Sequence, residues 1–165
     1  MALTPQQLPA LKAAILAETN PEFVGYRTEG ATGAMAAWFN AEANPAFVVW
    51  KTSVPTSDIG KALNMVAFAA MTDANQGQLT RFYTLYPGSF DPARSDVRGF
   101  FANTLSGALG GQGQATRDAM EAMYRRNATR GEKVFATGAG SFASPGVAAF
   151  VGSISNDDIV QALAV

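Results

Sequence analysis

Apolar residues recur at helical spacing along most of the chain, and interruptions of that spacing predict where the elements end. Leu8, Leu11 and Ile15 lie on one face of a first helix. Thr4–Pro5 supplies the signals of a helix start, an N-cap residue followed by proline in the first turn. The Asn20–Pro21 pair ends this helix, because the residue before proline avoids the helical conformation.

Several further segments repeat the helical pattern between breaks that are rich in glycine and proline. The predicted helices lie around Ala34–Phe39, from Thr56 to Phe68, at Leu79–Tyr86, from Asp91 to Leu105, and after Ser155. Residues 21–30 carry one proline and two glycines and indicate a loop. Phe47–Trp50 is rich in β-forming residues but lies between two prolines, so an extended connector and a strand are both open.

The longest uninterrupted helical pattern runs from Thr116 to Thr137, with Gly138 as its stop signal. The Gly-rich run Gly107–Gln114 before it indicates a flexible break. The stretch after it, residues 138–152, consists mostly of Gly, Ala, Ser and Pro and is too apolar for a disordered tail. We interpret that stretch as an ordered loop in which Ala148–Ser153 can form a short strand.

These patterns predict a mainly α protein with Gly/Pro-rich loops and a short β segment near the C-terminus. We expect one compact helical domain of about five to six helices over residues 1–138. Residues 139–165 are expected to form a C-terminal loop and short helix that serve as a docking segment.

The composition adds a low share of charge to this picture. Of the 165 residues 48% are hydrophobic and only 15% are charged, against the usual quarter. A chain with so few charges can hide part of its surface in interfaces, or it can be an Ala-rich monomer covered by small polar residues. The net charge of −1 gives no overall attraction for nucleic acid or anionic membrane.

The absence of Cys and His removes large classes of chemistry. Disulfides, thiolate nucleophiles, Cys/His zinc sites and histidine proton relays are excluded. The start of the chain has no basic segment of the kind that begins a signal peptide, and no apolar run approaches the roughly 18 residues of a membrane span. We therefore expect synthesis in the cytoplasm.

The remaining candidates for catalysis have simpler structural explanations. The carboxylates of Asp157–Asp158 lie in the first turn of a helix, where acids favour the helix dipole, and those of Asp118 and Glu121 lie beside arginines. Gly107–Gln114 lacks the Lys-Ser/Thr ending of a phosphate-binding loop, and no serine lies in a nucleophile motif. The sequence predicts no catalytic residue, no metal site and no cofactor, and we expect that the protein is not an enzyme.

One basic cluster stands out within the long predicted helix. Arg125, Arg126, Arg130 and Lys133 lie within nine residues, three of them on one predicted helix face. They either form a solvated face with nearby glutamates or contact an acidic partner or the phosphates of passing DNA. We take them as interface or DNA-channel candidates. The aromatic residues around Trp38 and Trp50 are expected to pack in the core, with an interface anchor as the alternative.

Three blocks of sequence resemble small structural proteins from the head and neck gene clusters of tailed bacteriophages. They are Leu8–Ile15, Val49–Val54 continuing to Asp58–Ile59, and Ala128–Gly138 with Ala143–Pro145. The resemblance implies a virion protein at the head–tail junction, a neck adaptor or connector ring below the portal. Such proteins are helical and assemble in about twelve copies around a DNA channel. The implied partners are copies of the chain, the portal, and tail or neck proteins.

Two other classes of function remain open beside this one. The chain could be a small cytoplasmic protein-binding or regulatory helical module, or an enzyme that uses carboxylates with a metal or a Lys-activated Ser. Light scattering separates the first possibility from the others, because only a connector is expected to form a ring with its neighbouring virion proteins.

Overall fold

The computed structural model describes residues 3–105 and 110–165, with side chains left undescribed at 110–112. The described residues form ten helices and six short strands. The helices are α1 Leu8–Ala17, α2 Pro21–Thr28, α3 Thr32–Asn40, α4 Ser57–Ala62, α5 Met65–Ala69, α6 Asp73–Leu85, α7 Ser95–Thr104, α8 Gly110–Met123, α9 Arg130–Val134 and α10 Asn156–Ala164. The strands are β1 Val48–Trp50, β2 Val54–Pro55, β3 Ser89–Phe90, β4 Arg125–Asn127, β5 Ala136–Thr137 and β6 Val147–Ala148.

The mainly α prediction is confirmed, although the helices are shorter and more numerous than expected. Residues 21–30 were predicted to form a loop, but most of them form α2. Asn20 explains this, because its side chain accepts a bond from the Glu22 N–H and Pro21 holds the first helical position. The helix predicted from Thr56 to Phe68 is divided in the same way, since Asn64 accepts bonds from two backbone N–H groups and caps α5.

The prediction of one helix from Thr116 to Thr137 is wrong. The chain leaves α8 after Met123, runs extended through β4 and starts α9 at Arg130. Thr129 and Glu132 form a reciprocal capping box at this new start, which stabilises an interruption that the apolar spacing did not reveal. A flexible break was predicted at Gly107–Gln114, but the chain is helical from Gly110 onward, where α8 begins. The residues of the predicted break before Gly110 lie outside the described residues.

The β segments are minor and pair in two-stranded sheets, β1 with β4, β2 with β3, and β5 with β6. Strand β1 resolves the choice at Phe47–Trp50 in favour of a strand. The strand expected at Ala148–Ser153 is β6, which overlaps the expected range only at Ala148. No helix in the described part of the chain is long and apolar enough to span a bilayer.

The chain divides into two compact units, one formed by Met1–Val49 with Asn127–Val165 and the other by Trp50–Arg126. We call them unit 1 and unit 2. This division differs from the expected domain at 1–138 with a docking segment at 139–165. Residues 139–165 lie within unit 1, and the middle of the chain forms a unit of its own.

Unit 1 has a core built by α1, α2, α3 and α10. The side chains of Leu11, Ile15, Phe23, Met35 and Ile159 are completely buried there. Because α10 supplies part of this core, the C-terminal helix is needed by unit 1 for folding. Deletion of residues 139–165 would therefore expose the core of unit 1. A separate docking segment, as expected from the sequence, could instead have been removed without unfolding the helical domain.

Unit 2 has a core rich in aromatic side chains. Phe82 contacts Phe90 and Phe101 edge to face, and both of those rings contact Tyr124. Ile59 of α4 is completely buried in the same cluster. Burial raises the pKa of the Tyr124 hydroxyl, with nearby Tyr83 and Asp58 adding to the effect. The tyrosine is therefore a neutral core residue.

Candidate functional site

The basic residues that the sequence placed on one helix face belong to two different elements of the structure. Arg125 and Arg126 lie in β4 and belong to unit 2, whereas Arg130 and Lys133 lie in α9 and belong to unit 1. The expected single stripe of Arg126, Arg130 and Lys133 therefore does not exist. The structure instead brings together Arg130 and Lys133, which are three residues apart on α9.

Arg130 is held on the aromatic face of Trp38. The guanidinium carbon lies 3.9 Å from the ring centroid, and Nη1 donates a bond of 3.1 Å to the Trp38 carbonyl oxygen. The ring attracts the cation through its quadrupole, and the bond fixes the rotation of the guanidinium. Both residues are half-buried. The cation at Arg130 is thus positioned before any ligand arrives.

Arg130 and Lys133 line a surface cleft of 310 Å³ in unit 1. The other lining residues belong to α1 and the residue that follows it, to α3 and the loop after it, and to α9. They are Ala14, Glu18, Phe39, Asn44 and Val134. Lys133 Nζ also lies 5.8 Å from the centroid of the Phe47 ring. We call this the α9 cleft. Its wall combines two cations, one carboxylate and one amide with apolar surface.

The α9 cleft has an excess of positive charge. Its one acidic side chain is Glu18, whose Oε1 accepts bonds of 2.9 and 3.0 Å from the backbone N–H groups of Thr19 and Asn20. Among the described residues, no carboxylate lies within 4.0 Å of the charged nitrogens of Arg130 or Lys133. Two neighbouring half-buried cations without a carboxylate partner make a site that can accept an anion.

Arg125 has a different role, inside unit 2. Its guanidinium lies 5.2 Å from the centroid of the Trp50 ring, and that of Arg98 lies 4.8 Å from the same ring. Arg125 also pairs with Glu121, one turn earlier in the chain. Trp50 is buried, so the expectation of core packing holds for this residue. The arrangement indicates a structural role for Arg125 rather than an exposed cation.

Unit 2 carries an apolar groove between α6 and α7 that the sequence reading did not identify. It has a volume of 320 Å³ and is lined mainly by Phe82, Leu85, Tyr86, Val97 and Phe100. The Phe82 and Phe100 rings stack at 4.9 Å. Phe82 is buried at the base of this groove, whereas Leu85 is 74% exposed. We call this the α6–α7 groove.

Unit 1 exposes apolar side chains on α1 and α10. Leu16 is 57% exposed, and Val160, Leu163 and Val165 are between 38% and 57% exposed. The two helices run side by side in the same direction, because Leu3 N–H bonds to Asp158 Oδ1 at one end and Lys12 Nζ bonds to the Val165 carbonyl at the other. We call these four residues the α1–α10 apolar surface.

The candidate acids are occupied by structural bonds. Asp158 is buried and accepts bonds from the N–H and Oγ–H of Ser155 and from the Leu3 N–H. Burial raises the pKa of the Asp158 carboxyl, but these hydrogen bonds outweigh it and hold the pKa below its ordinary value. Asp118 accepts a bond from Gln114, and Glu121 pairs with Arg125. Across residues 3–105 and 110–165, no group of three or more acidic side chains is arranged to hold a metal ion.

The sequence reading named two of the residues in the α9 cleft but could not find the cleft itself. Its wall is assembled from positions between Ala14 and Val134, which only the fold brings together. Comparisons with known proteins add no family to this description. No protein-family model, curated protein or solved structure matches the chain.

Proposed function

We propose that the chain is a structural protein of a tailed-phage virion that forms an adaptor or connector ring between portal and tail. Its partners are copies of itself, in a ring of about twelve, and the portal, tail or neck proteins on either side. It is made in the host cytoplasm and resides in the virion. The three sequence blocks that resemble neck proteins support the setting, and the exposed apolar surface of unit 1 supports assembly.

The α1–α10 apolar surface is the observation that carries this proposal. Leu16 lies on α1, Val160 and Leu163 lie on the adjacent α10, and Val165 directly follows α10, so unit 1 exposes several large apolar side chains on two neighbouring helices. The buried face of α10 is fixed in the core through Ile159 and Ala162, so Val160 and Leu163 point away from it. Contact with a neighbouring copy would remove this surface from water, at a gain of about 25 cal/mol per Å² of apolar area.

The C-terminal segment 139–165 keeps a docking role in this proposal, now as part of a folded unit. The outer face of α10 would pack against the neighbouring copy while its inner face holds unit 1 together. The β5–β6 hairpin adds Phe142, which is 61% exposed. Both features lie after residue 138, in the segment that the sequence marked for docking.

Ring formation is tested by native mass spectrometry and negative-stain electron microscopy of the chain, alone and mixed with the portal protein. We expect a closed ring, and we expect Val160→Glu combined with Leu163→Glu to abolish it while circular dichroism stays unchanged. The matched control is Asn156→Glu with Gln161→Glu, which adds two charges at exposed positions of the same helix. A chain that stays monomeric with the portal, or a ring that tolerates the first pair, contradicts the proposal.

A second candidate function is a small protein-binding or regulatory module of the cytoplasm. The α6–α7 groove favours it, since an aromatic groove of 320 Å³ can take one or two apolar side chains of a partner. Quantitative mass spectrometry of purified particles separates the two functions. A fixed copy number in virions supports the connector, and absence from virions with retention in the cytoplasm supports the module.

A further inference from the structure

We propose that the α9 cleft of unit 1 binds a carboxylate side chain of a partner protein. Arg130 and Lys133 present two cations on one face of α9, and both line the same 310 Å³ space. Charge-assisted bonds from a guanidinium and an ammonium to one carboxylate are among the strongest polar contacts that proteins make. This inference goes beyond the proposed ring, because the cleft can bind such a group whether or not the chain assembles.

The environment of the two cations is what makes the cleft a site. In the described part of the chain, neither cation has a carboxylate within 4.0 Å, although Glu18 lines the same cleft. The Oε1 atom of Glu18 is bonded to two backbone N–H groups, which hold this carboxylate on the wall. Partial burial of a cation costs free energy when no carboxylate lies at pairing distance, and an incoming carboxylate that reaches this distance offsets part of that cost.

The positioning of Arg130 favours a geometrically defined contact. Its guanidinium is held by the Trp38 ring at 3.9 Å and by the bond to the Trp38 carbonyl. One Nη1 hydrogen is used there, and the planar group can present its remaining N–H donors to a carboxylate. Lys133 adds an ammonium at the end of a long, flexible stem and lines the same cleft. A preorganised fork with a flexible second cation suits a side-chain carboxylate entering from outside.

The shape and the apolar wall of the cleft favour a carboxylate over DNA. Ala14, Phe39 and Val134 give the cleft apolar surface that the methylene groups of a glutamate can cover. Duplex DNA offers phosphates on a broad, hydrated backbone, and its binding depends on many cations spread along a surface. A single pair of cations with apolar walls fits an acidic side chain of a protein. The predicted DNA-channel role of Arg130 and Lys133 is therefore the less favoured one.

Titration of the ¹⁵N-labelled full chain, followed by NMR, tests the site with two matched peptides. Acetyl-Ala-Glu-Ala-amide should shift the backbone amides of Arg130 and Lys133 and the Trp38 indole N–H, and acetyl-Ala-Gln-Ala-amide should not. Lys133→Met should weaken binding of the glutamate peptide about tenfold, the loss expected for one charge-assisted contact. Lys133→Arg should retain most of it. Lys61→Met removes an exposed lysine of unit 2 and should leave the affinity unchanged.

Three outcomes would overturn the inference. Equal shifts with the two peptides would show that charge is not recognised, and an unchanged affinity in Lys133→Met would place binding elsewhere. A 12-base-pair DNA duplex that binds more tightly than the glutamate peptide, and loses affinity in Lys133→Met, would assign the cleft to phosphate. Each of these results leaves the ring experiment unaffected, so failure here is separate from failure of the proposed function.

Discussion

Phe47 lies directly against the backbone of the β5–β6 hairpin in unit 1. A Cβ atom at position 140 would lie 2.1 Å from its ring, and one at position 146 would lie 2.8 Å from it. Gly140 also has a φ of +65°, which L side chains rarely adopt. The glycine at 140 is therefore required both by the space that Phe47 occupies and by the backbone conformation.

Replacement of Gly140 by alanine is expected to lower the free energy of unfolding by about 3 kcal/mol, from overpacking against Phe47 and left-handed strain together. Urea denaturation measures this change. Gly25→Ala is the matched control, because no atom lies within 4 Å of the added Cβ in the middle of α2. That variant should gain about 0.5–1 kcal/mol. A Gly140→Ala protein as stable as the parent would contradict the described packing of Phe47.

At the same scale, the sequence identified important residues without their partners. It selected Arg130 and Lys133 by charge, but the Trp38 ring under Arg130 and the residues of the α9 cleft come from distant parts of the chain. It also selected Arg125, whose guanidinium turned out to stack on buried Trp50. Charge along the sequence indicates which side chains are candidates for a binding site. The burial of those side chains and the residues they contact depend on tertiary structure.

Helix α10 shows how capping and packing act together at the scale of an element. Ser155 and Asp158 form a reciprocal capping box at its start, and Asp158 also accepts the Leu3 N–H. One carboxylate thus closes the start of α10 and connects it to the segment before α1. The sequence predicted a helix after Ser155, because the signals that start it are local.

Asp158→Asn is expected to cost about 1–2 kcal/mol near neutral pH, since the cap loses its charged acceptor. Folding lowers the pKa of this carboxyl below its ordinary value of 3.8, so its contribution is present above that pH. The contribution is lost as pH falls through the folded pKa. Urea denaturation at a series of pH values should show the gap between parent and variant shrinking below pH 3.8.

The exposed neighbour provides the control for this prediction. Asp157 lies in the same first turn, is exposed and is not part of the capping box. Asp157→Asn should change stability by no more than about 0.5 kcal/mol. If the two variants lose equal stability, the effect belongs to the helix dipole and not to the buried cap.

Other element boundaries could not be predicted because they depend on pairing or on residues with two roles. α1 already ends at Ala17, and Asn20–Pro21 starts α2, so the interpretation of the pair as a stop signal missed the second helix. The extended backbone at Arg125–Asn127 interrupts an apolar pattern that continues at helical spacing. Tyr124 is buried in the core of unit 2, and Ala128 is buried in a cluster of unit 1. Their helical spacing therefore does not reflect one helix face.

At the scale of the whole molecule, the low share of charge makes a prediction about assembly. Only 15% of the residues are charged, and the α1–α10 apolar surface consists of Leu and Val side chains. Contacts of that kind are held by burial of apolar area, which NaCl screens little, whereas contacts between exposed charges weaken as the Debye length falls. The response of the ring to salt therefore reports which kind of contact holds it.

We expect the dissociation constant of the ring to change by less than about threefold between roughly 0.05 and 0.5 M NaCl. Sodium sulfate at the same ionic strength should strengthen assembly, because sulfate is excluded from apolar surface and favours its burial. Mass photometry over a dilution series measures both effects. As an internal comparison, the glutamate peptide at the α9 cleft should lose affinity over the same NaCl range, since that contact is electrostatic. A ring that dissociates in NaCl would instead be held by charged residues, and the apolar surface on α1 and α10 would then not be its principal contact.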